Sequence, residues 1–234
     1  MASDSSTDRQ TDTGPDPSEP KRGPQLTSVA IGDATAPWSD AGFDVDDSGA
    51  VHLGSTILDL RSGDGGFLGL SFEPQLRTAD LDGIPLLTPP QRYPESDSVQ
   101  PHNPNGIGTI DHIVVATTNC DASIVSFERA GFSQRGERLT ESFGIPTRQT
   151  FFWAGQVIVE LIGPVETDPT KQGPTKIFGL ALVSDDFDAT VKWLGDLAGK
   201  PRRAIQPGRQ ITTIRTRELG ISVPIAVMSP HPKG

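Results

Sequence analysis

Two residues of this chain stand where chemistry would want them and where packing alone would not put them. His112 lies within T-I-D-H-I-V-V-A-T-T, residues 109–118, a run of Ile and Val with the pattern of a buried strand. Glu160 lies within Q-V-I-V-E-L-I, residues 156–162, which is equally apolar. Alternate residues of a strand share a face, so His112 goes with Ile110 and Val114, and Glu160 with Ile158 and Ile162. A carboxylate among apolar neighbours is costly unless a hydrogen-bonding partner or a metal meets it. The residues alone leave three readings open: a metal-ligand pair, an acid/base pair moving a proton next to a carbonyl, or a hydrogen-bonded pair buried for structure. Burial raises a carboxylate pKa and a neighbouring imidazolium lowers it, so the direction is not legible here.

Arg148-Gln149 and Arg209-Gln210 form a second candidate set, each pair sitting near the start of a strand-like run. Guanidinium suits planar anions, so all four residues are candidates to hold a carboxylate or phosphate. The alternative is that they are solvent-facing strand starts. Cys120 follows a strand with no basic neighbour in sequence, which argues against a nucleophile; as the only cysteine it leaves no intrachain disulfide and no cysteine-based zinc site. Phe127, Phe151, Phe152, Trp38, Trp153 and Trp193 read as packing residues. His52 and His231 have no ligand-like spacing, and His102 falls in a Pro-rich stretch. No dinucleotide, P-loop or serine-hydrolase motif occurs.

The elements that must position these residues follow from the rest of the 234-residue chain. Residues 1–24 carry almost nothing apolar and read as a disordered tail. Residues 25–76 read as a small first unit beginning with a strand at L-T-S-V-A-I-G. Residues 77–108 contain six prolines and read as a linker, with L-D-G-I-P-L-L packing as it leaves the first unit. From Thr109 the order is strand, a helix capped by Asn119 or Asp121 and stopped at Gly131, then antiparallel strands with a hairpin at Ala154-Gly155. That order recurs: K-I-F-G-L-A-L-V, a helix capped by Ser184 and carrying Phe187, Val191, Leu194 and Leu197, then R-Q-I-T-T-I-R and S-V-P-I-A-V-M. Two modules, 109–165 and 175–230, thus read as an internal repeat, and residues 25–76 carry a fainter echo.

With the repeat in view, I-D-H-I-V-V-A, V-I-V-E-L-I-G-P and the matching second module resemble the vicinal oxygen chelate superfamily, the group of glyoxalases, bleomycin-resistance proteins and extradiol dioxygenases. The resemblance covers residues 109–230, and 25–76 more loosely as a degenerate module. It implies an α+β fold: paired βαβββ modules forming a curved, half-open barrel of mixed sheet, with helices outside. It implies that His112 and Glu160 occupy two of the ligand positions for a divalent ion (Zn, Ni, Mn or Fe). Gly179 and Ala226 stand at the other two, so the set is incomplete. Two completions are conceivable: Asp59 from the first unit, where Ser28 replaces the histidine, or a swapped homodimer that supplies His112 and Glu160 twice.

The implied activity is that of a lyase, isomerase or epimerase acting on a small molecule in the sheet cleft. The alternative is a metal-free sequestering module of bleomycin-resistance type. A net charge of −10 with no aromatic-laced basic patch argues against nucleic acid and an anionic membrane as partners. No secretion signal or spanning segment is legible, so a cytoplasmic location is expected.

Overall fold

The computed structural model describes residues 23–89, 103–142, 144–168, 170 and 173–232. Most of the expected tail, the middle of the Pro-rich stretch and His102 lie outside them. The first unit contains β1 (Gln25–Ile31), α1 (Ala36–Asp40), β2 (Ala50–Leu53), β3 (Thr56–Leu60) and β4 (Phe67–Glu73). Its sheet has the order β2-β3-β1-β4, with β1 parallel to β3 and antiparallel to β4.

The Pro-rich stretch is not wholly irregular. A short hairpin, β5 (Asp80–Leu81) and β6 (Ile84–Pro85), buries Leu81 and Ile84 and turns through Asp82 and Gly83, both at positive φ. The proline at residue 85 is tolerated because β6 pairs with β5 alone, so its missing donor breaks no ladder. The Asp82 carboxylate accepts 2.5 Å hydrogen bonds from Ser123 Oγ and Thr175 Oγ1, tying the hairpin to the second half of the chain.

That second half builds the larger sheet. It contains β7 (Ile107–Ala116), α2 (Cys120–Arg129), β8 (Gln134–Ser142), β9 (Ile145–Ala154) and β10 (Val157–Pro164). There follow β11 (Lys176–Ser184), α3 (Phe187–Leu194), β12 (Arg202–Arg203), β13 (Gln210–Thr213), the short α4 (Thr216–Leu219) and β14 (Ile225–Met228). The strand order is β12-β13-β14-β11-β7-β10-β9-β8. In both halves the first strand runs parallel to the last, β7 with β10 and β11 with β14, and the halves join antiparallel at β7 and β11. This is the curled mixed sheet of paired βαβββ modules, with helices outside, that the family resemblance implies.

Local chemistry sets the ends of the elements. Asn119 caps α2, accepting from the Ala122 N–H, and Gly131 follows at positive φ. Phe127 of α2 stacks on Phe152 of β9, 5.0 Å between ring centres, which anchors the helix to the outer face of the sheet. The cap of α3 is Asp186, which accepts from the Ala189 N–H, and not Ser184. Strand β11 continues to Ser184, which pairs with Ile107 and shares a buried 2.7 Å hydrogen bond with Thr190, so no cap can form there. Leu197 falls in a 3-10 turn beyond α3.

Candidate functional site

The floor of the cleft is made by β7 and β10. Ile113 and Val115 of β7, like Val159 and Leu161 of β10, are buried against the helices; His112, Val114, Ile158, Glu160 and Ile162 face the other way. Contrary to simple alternation, Ile110 does not share the His112 face but is buried in the core. Across β7 and β11, His112 pairs with Ala181 while Ile110 pairs with Leu182, leaving Asp111 as the extra residue of a β-bulge. The bulge turns Ile110 into the core and brings Asp111 alongside His112.

A line of charge results. His112 Nε2 lies 3.3 Å from Glu160 Oε2, and His112 Nδ1 lies 2.8 Å from Asp111 Oδ2. Asp111 Oδ1 accepts from Arg209 Nη1 at 2.7 Å, and Arg209 Nε donates to the Ser229 carbonyl at 2.8 Å. The Arg209 side chain is 0% exposed, Asp111 7%, Glu160 13% and His112 14%. Burial by itself would raise the Asp111 pKa, but the His112 hydrogen bond and the charges of His112 and Arg209 outweigh it and hold the carboxyl down at about 2. Burial alone would lower His112; the Asp111 hydrogen bond and the Glu160 and Asp111 charges overcome this, and Arg209 opposes them, leaving the imidazole raised. With Nδ1–H donated to Asp111, Nε2 and Glu160 are left to share a proton across the cleft floor.

The other candidates divide. Gln149 is on the cleft face, where its Oε1 accepts from Arg138 Nε at 2.8 Å, and the Arg138 guanidinium lies 5.7 Å over the Phe151 ring. Arg148, the next residue along β9, points to the helix side and bridges Asp121 (2.6 Å) and Glu137 (2.7 Å). Arg209 is neither a solvent-facing strand start nor free for a ligand: it is the buried partner of Asp111. Gln210 is exposed, its N–H given to Ser229 Oγ. Sequence reasoning passed over Asp111, because strict alternation places it on the opposite face. It also passed over His231, whose Nε2 accepts from Arg209 at 3.3 Å through a fold-back of the C-terminal segment. Cys120 is buried and its thiol pushed up by burial, in keeping with an inert residue.

The register tests whether these residues fit a divalent ion. Glu160 pairs with Val114, two residues beyond His112; Ala226 pairs with Ala181, two residues beyond Gly179. Gly179 and Ala226 therefore hold the positions equivalent to His112 and Glu160, and neither has a donor. Asp59 is in the smaller sheet with its carboxylate on Arg61 Nη2 at 2.7 Å. Among the described residues, no group of three or more His, Cys, Asp or Glu could hold a metal. Two donors fall short of the three protein ligands of a catalytic zinc site, so the residues present do not fit a resident metal of that kind.

Residues 111–213 match the family model described as the Glyoxalase/Bleomycin resistance protein/Dioxygenase superfamily. Over those residues the chain is similar to that superfamily. A mutant 4-hydroxymandelate synthase from Streptomyces coelicolor superposes on the chain with a TM-score of 0.62 at 13% identity, over 91% of this chain and 94% of the other. A halotolerant catechol dioxygenase does so with a TM-score of 0.58 at 12% identity, over 88% and 86%. Methylmalonyl-CoA epimerase from Mycobacterium tuberculosis covers 54% of this chain and 91% of its own, at 21% identity and a TM-score of 0.44. At such identities the likeness is one of fold. No curated protein matches the sequence. Among the described residues no helix is long and apolar enough to cross a membrane.

Proposed function

We propose that this glyoxalase-like domain binds a small molecule in the cleft of the larger sheet and moves a proton on it with His112 and Glu160. The supporting observation is the 3.3 Å contact between His112 Nε2 and Glu160 Oε2 on the cleft floor, with Nδ1 held by Asp111. Such a pair has one group to take a proton and one to return it, as abstraction beside a carbonyl in an isomerase or epimerase requires. Glu160 takes the proton on one face of the acidic carbon, and the imidazolium stabilises or protonates the resulting enolate. Gln149, with Arg138 donating to it, lies on the same face beside the pair. The smaller sheet is read as a shortened module without chemistry: Asp59 pairs with Ala30, two residues beyond Ser28, in the register of Glu160 and His112, but its carboxylate is engaged by Arg61.

The test is exchange of acidic α-protons in D2O, followed by proton NMR over a panel of 2-substituted acids, α-keto acids and thioesters, in protein assayed for metal. Exchange with at least one compound, lost in Glu160→Gln and His112→Asn, is expected. A second reading is favoured by Gly179 and Ala226, which leave half the cleft without donors: a sequestering module that needs no proton transfer. Tight binding without exchange would replace the first reading by the second. Near-stoichiometric metal in the wild type, lost in His112→Ala, would mean that further ligands come from another chain.

A further inference from the structure

We infer that the cleft takes an organic acid with an apolar body, its carboxylate held by Arg215 and Arg217 at the rim. This rests on the proposed use of the cleft and names the class of molecule that enters it. On the side of the second module lies a cavity of about 560 Å3, a size suited to a small ligand. His112 and Val114 form its inner end, Ala181, Ala226 and Ile211 its wall, and Arg215 and Arg217 part of its lining. Because Gly179 and Ala226 stand where longer donor side chains would project, that wall is apolar and open.

The charge of this region runs against that of the chain. Of the Arg, Lys, Asp and Glu side chains that line the cavity, Arg215 and Arg217 outnumber Glu218, within a protein of net charge −10. That local excess favours an anion in the cavity despite the overall charge. The two rim arginines are also available. Arg215 has only an exposed 3.5 Å contact with Glu218, and Arg217 has no ion-pair partner among the described residues. Arg209, by contrast, is occupied by Asp111. Guanidinium groups in the lining of an apolar wall select a molecule with a carboxylate at one end and hydrocarbon at the other, because the fork matches a planar anion while the body leaves water.

The experiment is titration of the full chain with 4-phenylbutyrate and octanoate, each beside its uncharged amide, followed by amide NMR shifts of Val114 and Ala181 and by calorimetry. The acids are expected to bind at this wall about tenfold more tightly than the amides, the effect of one charge-assisted hydrogen bond. In Arg215→Gln/Arg217→Gln the preference for acid over amide should vanish while amide binding persists. Both arginines are exposed, so the variant should keep the wild-type melting temperature. Equal binding of acid and amide by the wild type, an acid preference surviving in the variant, or no binding of either probe overturns the inference. Failure here leaves α-proton exchange by His112 and Glu160 intact, and loss of that exchange leaves the acid preference intact, so the two proposals fail separately.

Discussion

Replacing Arg209 by methionine tests the charge line most directly. Methionine roughly keeps the length of the side chain and removes its charge, leaving the Asp111 carboxylate, only 7% exposed, without its 2.7 Å partner. Breaking a buried ion pair from one side costs about 3–5 kcal/mol, because the remaining charge stays buried. Asp111 keeps its 2.8 Å contact with His112, so the lower end applies, about 3 kcal/mol. The Ser229 carbonyl also loses a donor, whereas the Nη2 group, which has no partner among the described residues, takes nothing with it. In a domain of this size each kcal/mol lowers Tm by about 2–4 °C, so a drop of roughly 6–12 °C is expected. Urea unfolding at pH 7 should show the midpoint lowered with the slope unchanged. In Asp111→Asn/Arg209→Met both charges are gone, and the loss should be clearly smaller than the sum of the two single losses. A change under about 0.5 kcal/mol in Arg209→Met, or strict additivity in the double variant, would refute the buried pair.

Four further outcomes follow from the structure. Asp111 is depressed from 3.8 to about 2, so its contribution is present above the unfolded pKa and is lost as pH falls through the folded one. That is worth about 2 kcal/mol between pH 4 and 2, and acid unfolding of Asp111→Asn should show a flatter limb. His112 is raised, so its contribution is full below its ordinary pKa of 6.5 and is lost as pH rises through the folded value; in His112→Gln, stability should stop declining with alkali on that account. Ala226→Glu puts a third donor in the register of the cleft floor, and the variant should take up zinc or nickel where the parent does not, by metal analysis after dialysis; an unchanged content would count against the register argument. Gly155→Ala should cost at least about 1 kcal/mol in thermal unfolding, because φ is +70° and the added Cβ would sit 2.6 Å from Gln25 Cγ; a stabilised variant would show that the turn is misplaced.

Much of the architecture was legible from pattern alone. Period-two runs with Ile and Val mark β7, β10, β11 and β14, and the Asn119 cap and Gly131 stop bracket α2, because these signals act within a few residues of one another. The places of His112 and Glu160 were legible for the same reason: a polar residue in an apolar strand is conspicuous. Gly179 and Ala226 stood out only through the family resemblance; in the strand pairing Ala226 faces Ala181, two residues beyond Gly179, as Glu160 faces Val114, two residues beyond His112. The cap of α3 was misread, since Ser184 and Asp186 are both good capping residues and only the pairing of β11 with β7 decides which is still in the strand.

The sequence by itself determined that a histidine and a carboxylate sit among apolar residues on two strands. Tertiary structure alone decided what surrounds them. One unpaired residue in β7, visible only from its pairing with β11, turns Asp111 to the side of His112. Arg209, 98 residues away, then arrives by a chain path that no local pattern encodes and becomes the buried partner of Asp111. Side-chain period is a property of one strand, whereas a bulge and an ion pair are properties of two segments that meet, and their energy is settled by the burial that only the assembled fold provides.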